Sequence, residues 1–209
     1  VARGSLSRKE LAEISSSPGK SLLLKKELGG SLQRYLVGDQ KNGYALCHAR
    51  FGELLATKDF LGDDVKYYRD MLLTYCARWQ EHRSKYAMSH YAAHLVEENR
   101  SEELYALVEN KHWFESKLHL DSSGRAFADD IDLAIQTAEA KGQDSLPRII
   151  AFCLLHAKLR ERASQLTPEI IETMADLGYI EQALGYIYLL PDPLLKARML
   201  CLIARIYHT

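Results

Sequence analysis

The sequence carries no surplus of either charge: 27 Lys and Arg stand against 28 Asp and Glu, a formal net charge of −1. Non-specific binding to nucleic acid or to an anionic membrane surface draws on a positive excess, so the balance argues against both as partners. No uninterrupted apolar run reaches the roughly 18 residues that a spanning helix needs. Cysteine is sparse as well: Cys47, Cys76, Cys153 and Cys201 form no C-x-x-C pair and no dense framework. Each lies in an apolar segment, where free thiols are normally buried, and this fits a reducing compartment. The opening VARGSLSRKE lacks both an initiator Met and the apolar core of a leader. The expectation is a piece of a longer cytoplasmic protein.

What is present is helical grammar, interrupted once. Ser7-Arg-Lys-Glu10 has the S-x-x-E spacing of a capping box and opens a short helix through Leu11 and Ile14. After the turn residues Ser15 to Gly19, a second helix is expected from Lys20, with Leu23, Leu24, Leu28 and Leu32 on one face. Arg34 to Val37 and Tyr44 to Cys47 are short β-prone runs, and Asn42-Gly43 supplies turn chemistry between them. Phe51, Leu54 and Leu55 then resume a helical period. Helix, turn, helix, hairpin, helix is the order of a winged helix, placed at residues 1–62. Pro18-Gly19-Lys20-Ser21 ends like a phosphate-binding loop, but that loop needs a Gly where Ile14 stands and follows a strand, not a helix.

From Asp63 onward the pattern is helical throughout, and residues 63–209 are assigned to a second domain. Asp63 to His82 reads as one helix, with Tyr67, Leu72, Tyr75, Cys76 and Trp79 inward. Ser84 and Ser101 open the next two, and a fourth spans Asn110 to Leu120 before DSSGR breaks the run. Five more helices are expected at Asp129 to Ala140, Ser145 to Ser164, Pro168 to Leu177, Ile180 to Leu190 and Pro193 to His208. Thr167-Pro168 and Asp192-Pro193 each place a capping oxygen before a proline at the first helical position. Gly178 suits the position after a helix end. The last helix is apolar on nearly all sides and is expected to be buried between neighbours. NRSEELYALV at 99–108 echoes GYIEQALGYI at 178–187. Together these features predict an irregular TPR-like α-solenoid of antiparallel helices.

Candidate chemistry is thin. His90 and His94 share a helical face, but a zinc site needs a third ligand and a zincin has Glu where Tyr91 stands, so no metal site is assigned. Glu97-Glu98, Glu102-Glu103 and Asp129-Asp130 are adjacent in sequence and diverge by about 100 degrees on a helix. They read as solvated or capping acids, not acid/base pairs. With no catalytic constellation, the chain is not read as an enzyme.

LQRYLV, GYALCHARFGELL, YAMSHYAAHLVEENRSEELYALVENKHWFESKL and MADLGYIEQALGYIYLLPDPLLKARMLCLIARIY resemble the region that follows the nucleotide-binding domain in STAND-class (NB-ARC or NACHT-like) signalling ATPases. In that class a winged helix ends in a hydrophobic–His–Asp motif, and Cys47-His48-Ala49 stands at that place. The resemblance implies that His48 contacts the β-phosphate of ADP held by a nucleotide-binding domain of the full-length protein, which would use ADP or ATP with Mg. Ala49 departs from the motif's acid. No cofactor is expected within this chain. The implied function is a non-catalytic regulatory and protein-interaction module, with its own nucleotide-binding domain, another protein or a second copy as partner. Two rivals stay open: a winged-helix DNA-binding regulator, using Lys20, Lys25, Lys26 and Arg34, and a free-standing helical scaffold.

Overall fold

The computed structural model describes residues 2–15, 30, 33–39, 42–48, 50, 57 and 64–207. Among them the chain is mainly helical, with eleven α-helices and one two-stranded antiparallel sheet. The expected helix with Leu23, Leu24, Leu28 and Leu32, the Gly19-Lys20-Ser21 stretch, and Phe51, Leu54 and Leu55 lie outside the described residues. The chain divides into two compact units, Val1–His94 and Leu95–Thr209, where the sequence pattern divides it at 62/63.

In the first unit, α1 (Arg8–Ile14) opens with the expected capping box. Ser7 Oγ accepts the Glu10 N–H at 3.2 Å, and Glu10 Oε2 accepts the Ser7 N–H at 2.7 Å. The other Glu10 oxygen, Oε1, accepts the N–H of Tyr86 at 3.4 Å. Arg3 N–H donates to the Tyr86 hydroxyl at 3.0 Å. α2 (Asp64–Ala77) packs against α1. These contacts join segments 76 and 83 residues apart, which places 64–94 with the N-terminal residues and is invisible to local periodicity.

The single helix expected over Asp63 to His82 is two, α2 and α3 (Trp79–His82). At the break the ladder tightens to three-residue spacing, with Arg78 N–H bonded to Tyr75 O and Glu81 N–H to Arg78 O. Leu72, Tyr75, Cys76 and Trp79 are buried as expected, whereas Tyr67 is exposed. His82 ties the junction together: Nε2–H donates to Tyr75 O at 2.8 Å and Nδ1 accepts the Ser84 N–H at 3.1 Å. Ser84 Oγ accepts the Ala87 N–H at 3.0 Å, capping α4 (Lys85–Glu97) as expected.

The second unit contains α5 (Ser101–Glu109), α6 (Lys111–Leu120), α7 (Arg125–Lys141), α8 (Leu146–Ser164), α9 (Pro168–Asp176), α10 (Ile180–Leu189) and α11 (Pro193–Tyr207). α7 is the hub, packed against α5, α6, α8 and α10. It starts at Arg125, ahead of the expected Asp129, because Asp121 serves the loop as a cap. One carboxylate oxygen of Asp121 accepts from Ser123 N–H and Oγ, and the other accepts the Ala126 N–H at 3.0 Å. Asn110 caps α6 in the same way, accepting from His112 and Trp113 N–H.

The echo at 99–108 and 178–187 has a backbone counterpart. Asn99 (φ 56) and Gly178 (φ 85) both adopt the left-handed conformation after a helix. Arg100 N–H reaches back to Leu95 O and Tyr179 N–H to Met174 O, so each turn closes as a Schellman motif. Asp192 Oδ1 accepts the Leu194 N–H at 2.9 Å, as expected of an N-cap. Thr167 does not cap: its hydroxyl is engaged with the Glu169 carboxylate, whose pKa it lowers. α11 is not buried on all sides. Met199 and Ile203 join Ile171, Ala175, Ala183 and Ile187 in a core shared with α9 and α10, while Leu194 and Leu200 are exposed. One buried stripe suffices to dock a helix.

Candidate functional site

The predicted site residue, His48, is set by a hairpin. β1 (Leu36–Asp39) pairs antiparallel with β2 (Gly43–Leu46), in the register Leu36↔Leu46 to Asp39↔Gly43. The turn is fixed by Asp39, whose two oxygens accept Asn42 N–H at 2.7 Å and Asn42 Nδ2–H at 2.9 Å. Gly43 is required twice over. Its φ is +81, and a Cβ there would meet the backbone of Leu6 at about 3.0 Å. That close approach lets Leu6 and Tyr44 exchange both backbone hydrogen bonds, at 3.0 and 2.8 Å, adding a bridge to the hairpin.

Beyond β2, Cys47 N–H bonds Tyr35 O at 2.9 Å and continues the pairing. The thiol is exposed, against the expectation of burial, and so are Cys153 and Cys201; Cys76 alone of the four is buried. For Cys76, Cys153 and Cys201, apolar neighbours in sequence set the helix but the face that each occupies sets its exposure, while Cys47 follows the end of β2. Burial pushes the Cys76 thiol up to about 12, so it is an inert packing group.

His48 is exposed, and its Nδ1 accepts the Arg50 N–H at 3.1 Å. The imidazole thus satisfies a backbone donor two residues on. A neutral imidazole accepting at Nδ1 carries its proton on Nε2, which leaves an outward donor suited to an anion. Ala49 lies outside the described residues.

The His90/His94 pair sits in an aromatic cluster. Tyr86 Oη and His94 Nε2 are 2.8 Å apart, and the Tyr86 ring lies 4.8 Å from the His90 ring and 5.9 Å from the His94 ring. No group of three His, Cys, Asp or Glu side chains able to hold a metal ion occurs among the described residues.

The paired acids are not alike. Glu103 forms a two-pronged pair with Arg100 at 2.6 and 2.7 Å. Glu102 joins three helices, lying 3.3 Å from Lys141 Nζ and 2.9 Å from Arg148 Nη1. The hydrogen bond from Lys141, with Arg148 beside it, holds the Glu102 carboxyl below the usual range. Asp130 overturns the reading of a solvated acid. It is buried on α7, 2.9 Å from Lys117 Nζ and 2.8 Å from Trp113 Nε1, with the Lys117 ammonium 5.2 Å from the Trp113 ring centre. Burial raises the Asp130 carboxyl's pKa, opposed by Lys117 and by the Trp113 hydrogen bond. Sequence offered one unread signal: Trp113, Lys117 and Asp130 each occupy an inward position of their helices.

The second feature that sequence reasoning missed is an exposed apolar stripe. Leu146, Ile150 and Leu154 recur every four residues along α8 and remain 57%, 52% and 61% exposed. Leu177, Tyr179 and Leu194 add exposed apolar surface at the turns of the second unit. Scattered apolar residues are ordinary on a surface, whereas this helix face carries three in register. No family model, no curated protein and no solved structure matches the chain.

Proposed function

We propose that this chain is a non-catalytic regulatory and protein-interaction module of a STAND-type signalling ATPase. On this reading residues 1–62 form a winged helix, and the later helices form a TPR-like array of antiparallel hairpins. The array relays the ADP or ATP state of a nucleotide-binding domain elsewhere in the parent protein, by a population shift between resting and open forms. The observation that carries the reading is His48: it follows the hairpin directly, is exposed, and its Nδ1 accepts the Arg50 N–H, which leaves Nε2–H as a donor. The repeated left-handed turns at Asn99 and Gly178 and the exposed stripe on α8 support the array as a contact surface.

Magnitudes separate this chain from its parent. One charge-assisted hydrogen bond contributes about 1.5–3 kcal/mol, and millimolar affinity already needs about 4 kcal/mol. Calorimetric titration of ADP into the chain alone should therefore give no saturable heat. In a protein that also carries the nucleotide-binding domain, His48→Ala should weaken ADP retention by about tenfold or more. Micromolar ADP affinity in the isolated chain, or unchanged ADP retention in the His48→Ala parent, would sink the proposal.

A further inference from the structure

We infer that a pocket in the second unit, between α7, α8 and the α10–α11 junction, binds the carboxylate of an acidic peptide segment. The pocket encloses about 390 Å³. Its polar lining is Asp132 from α7, His156 and Arg160 from α8, and Lys196 from α11. The rest of the lining is Tyr188 with the apolar Leu189, Leu190, Pro191 and Pro193.

Arg160 is the decisive group. Among the described residues its guanidinium makes neither an ion pair nor a hydrogen bond, although Asp132 lines the same pocket. Asp132 is instead 3.8 Å from His156 Nε2. Lys196 is held in place, donating to Tyr188 O at 2.6 Å with its ammonium 4.6 Å from the Tyr188 ring centre. An ammonium has three donors, so Lys196 keeps capacity for an incoming acceptor. Two full positive charges therefore face one carboxylate, and the forked donor set of Arg160 is unused.

That inventory selects the ligand. A guanidinium fork matches a carboxylate in two parallel hydrogen bonds. A phosphate dianion has similar oxygen geometry, but doubles the repulsion from Asp132. The Leu–Pro lining of the same pocket suits an apolar side chain adjacent to the carboxylate, and a peptide of alternating character presents both at once.

The inference rests on the protein-interaction part of the proposed function and not on its nucleotide part, because the test uses no nucleotide. The probe is a fluorescein-labelled peptide of alternating leucine and aspartate, followed by anisotropy, with the leucine–asparagine counterpart and inorganic phosphate as comparisons. Saturable binding of the acidic peptide below about 1 mM is expected. Arg160→Gln should weaken it by about tenfold or more. Lys158→Gln, the same charge change on α8 away from the pocket, should stay within about twofold. Arg160→Lys, which keeps the charge without the fork, should fall between wild type and Arg160→Gln. Absence of saturation, equal loss in Arg160→Gln and Lys158→Gln, equal binding of the asparagine peptide, or tighter binding of phosphate would each overturn the inference. A failure here leaves the His48 proposal standing.

Discussion

Lys117 and Asp130 are the costliest pair of side chains in the second unit, with 2% and 5% of their side-chain surface exposed. Their attraction opposes the desolvation of two charges, with help from Trp113, which donates to the same Asp130 oxygen, although burial still outweighs both and raises the Asp130 pKa. Removing one partner strands the other. Lys117→Met should destabilise the chain by about 3–5 kcal/mol, read as a fall in the urea midpoint. Lys111→Met, which breaks an exposed pair with Glu115, should cost less than about 0.5 kcal/mol. The double variant Lys117→Met/Asp130→Leu should recover much of the loss, short of the hydrogen bond from Trp113 Nε1 to Asp130. If Lys117→Met melts like wild type, the pair is not a stabilising contact. Such a pair was not legible in the sequence, because a carboxylate next to another carboxylate looks solvated until the helix face it occupies is known.

Helix ends were the most legible elements, since caps are local. Ser7 with Glu10, Ser84, Asn110, Asp192 and Gly178 all act at or beside their expected boundaries. Faces and junctions were less legible: the break at Arg78, the one-sided burial of α11 and the exposed cysteines depend on partners distant in sequence. Gly185 is such a case, a helical glycine whose purpose is tertiary. A Cβ there would fall about 2.1 Å from Ser123 Oγ and 2.7 Å from Ser123 Cβ. α10 thus lies directly on the Asp121–Gly124 loop, and Tyr186 Oη–H bonds Ser122 O at 3.0 Å. Gly185→Ala should therefore cost about 1–3 kcal/mol through overpacking, despite alanine's better helix propensity. Gly178→Ala, where a Cβ would meet nothing but φ is +85, should cost about 1–2 kcal/mol through the left-handed backbone alone. A Gly185→Ala variant that melts at or above wild type would show that α10 does not rest on that loop.

The Glu102 clamp between α5, α7 and α8 makes a pH-dependent prediction at the same scale. A folded-state carboxyl pKa below the ordinary 4.5 means that the stability it contributes is present above that value and is lost as pH falls through the folded value. Carboxyl titration by NMR should place the Glu102 midpoint below 4.5, and Lys141→Met or Arg148→Met should move it back up. High salt should do the same in part, because all three groups are solvent-exposed. A midpoint unmoved by either variant would mean the clamp is open in solution.

At the scale of the whole molecule, a formal net charge of −1 and a pI near 6.8 leave copies of the chain with little mutual repulsion near neutral pH. Short-range contact then governs any association, and among the described residues the Leu146, Ile150 and Leu154 stripe on α8 is an exposed apolar face in register. Solubility should therefore pass through a minimum near pH 6.8. Ile150→Glu combined with Leu154→Glu should raise it and reduce concentration-dependent sedimentation. Because both side chains are more than half exposed, the melting curve should shift by less than about 0.5 kcal/mol. A large loss of stability would show the stripe to be packed in solution, and unchanged sedimentation would show that it takes no part in association. The first outcome removes the contact surface from the proposed function. The second removes a second copy of the chain, docked through that face, from the partners of the proposed function.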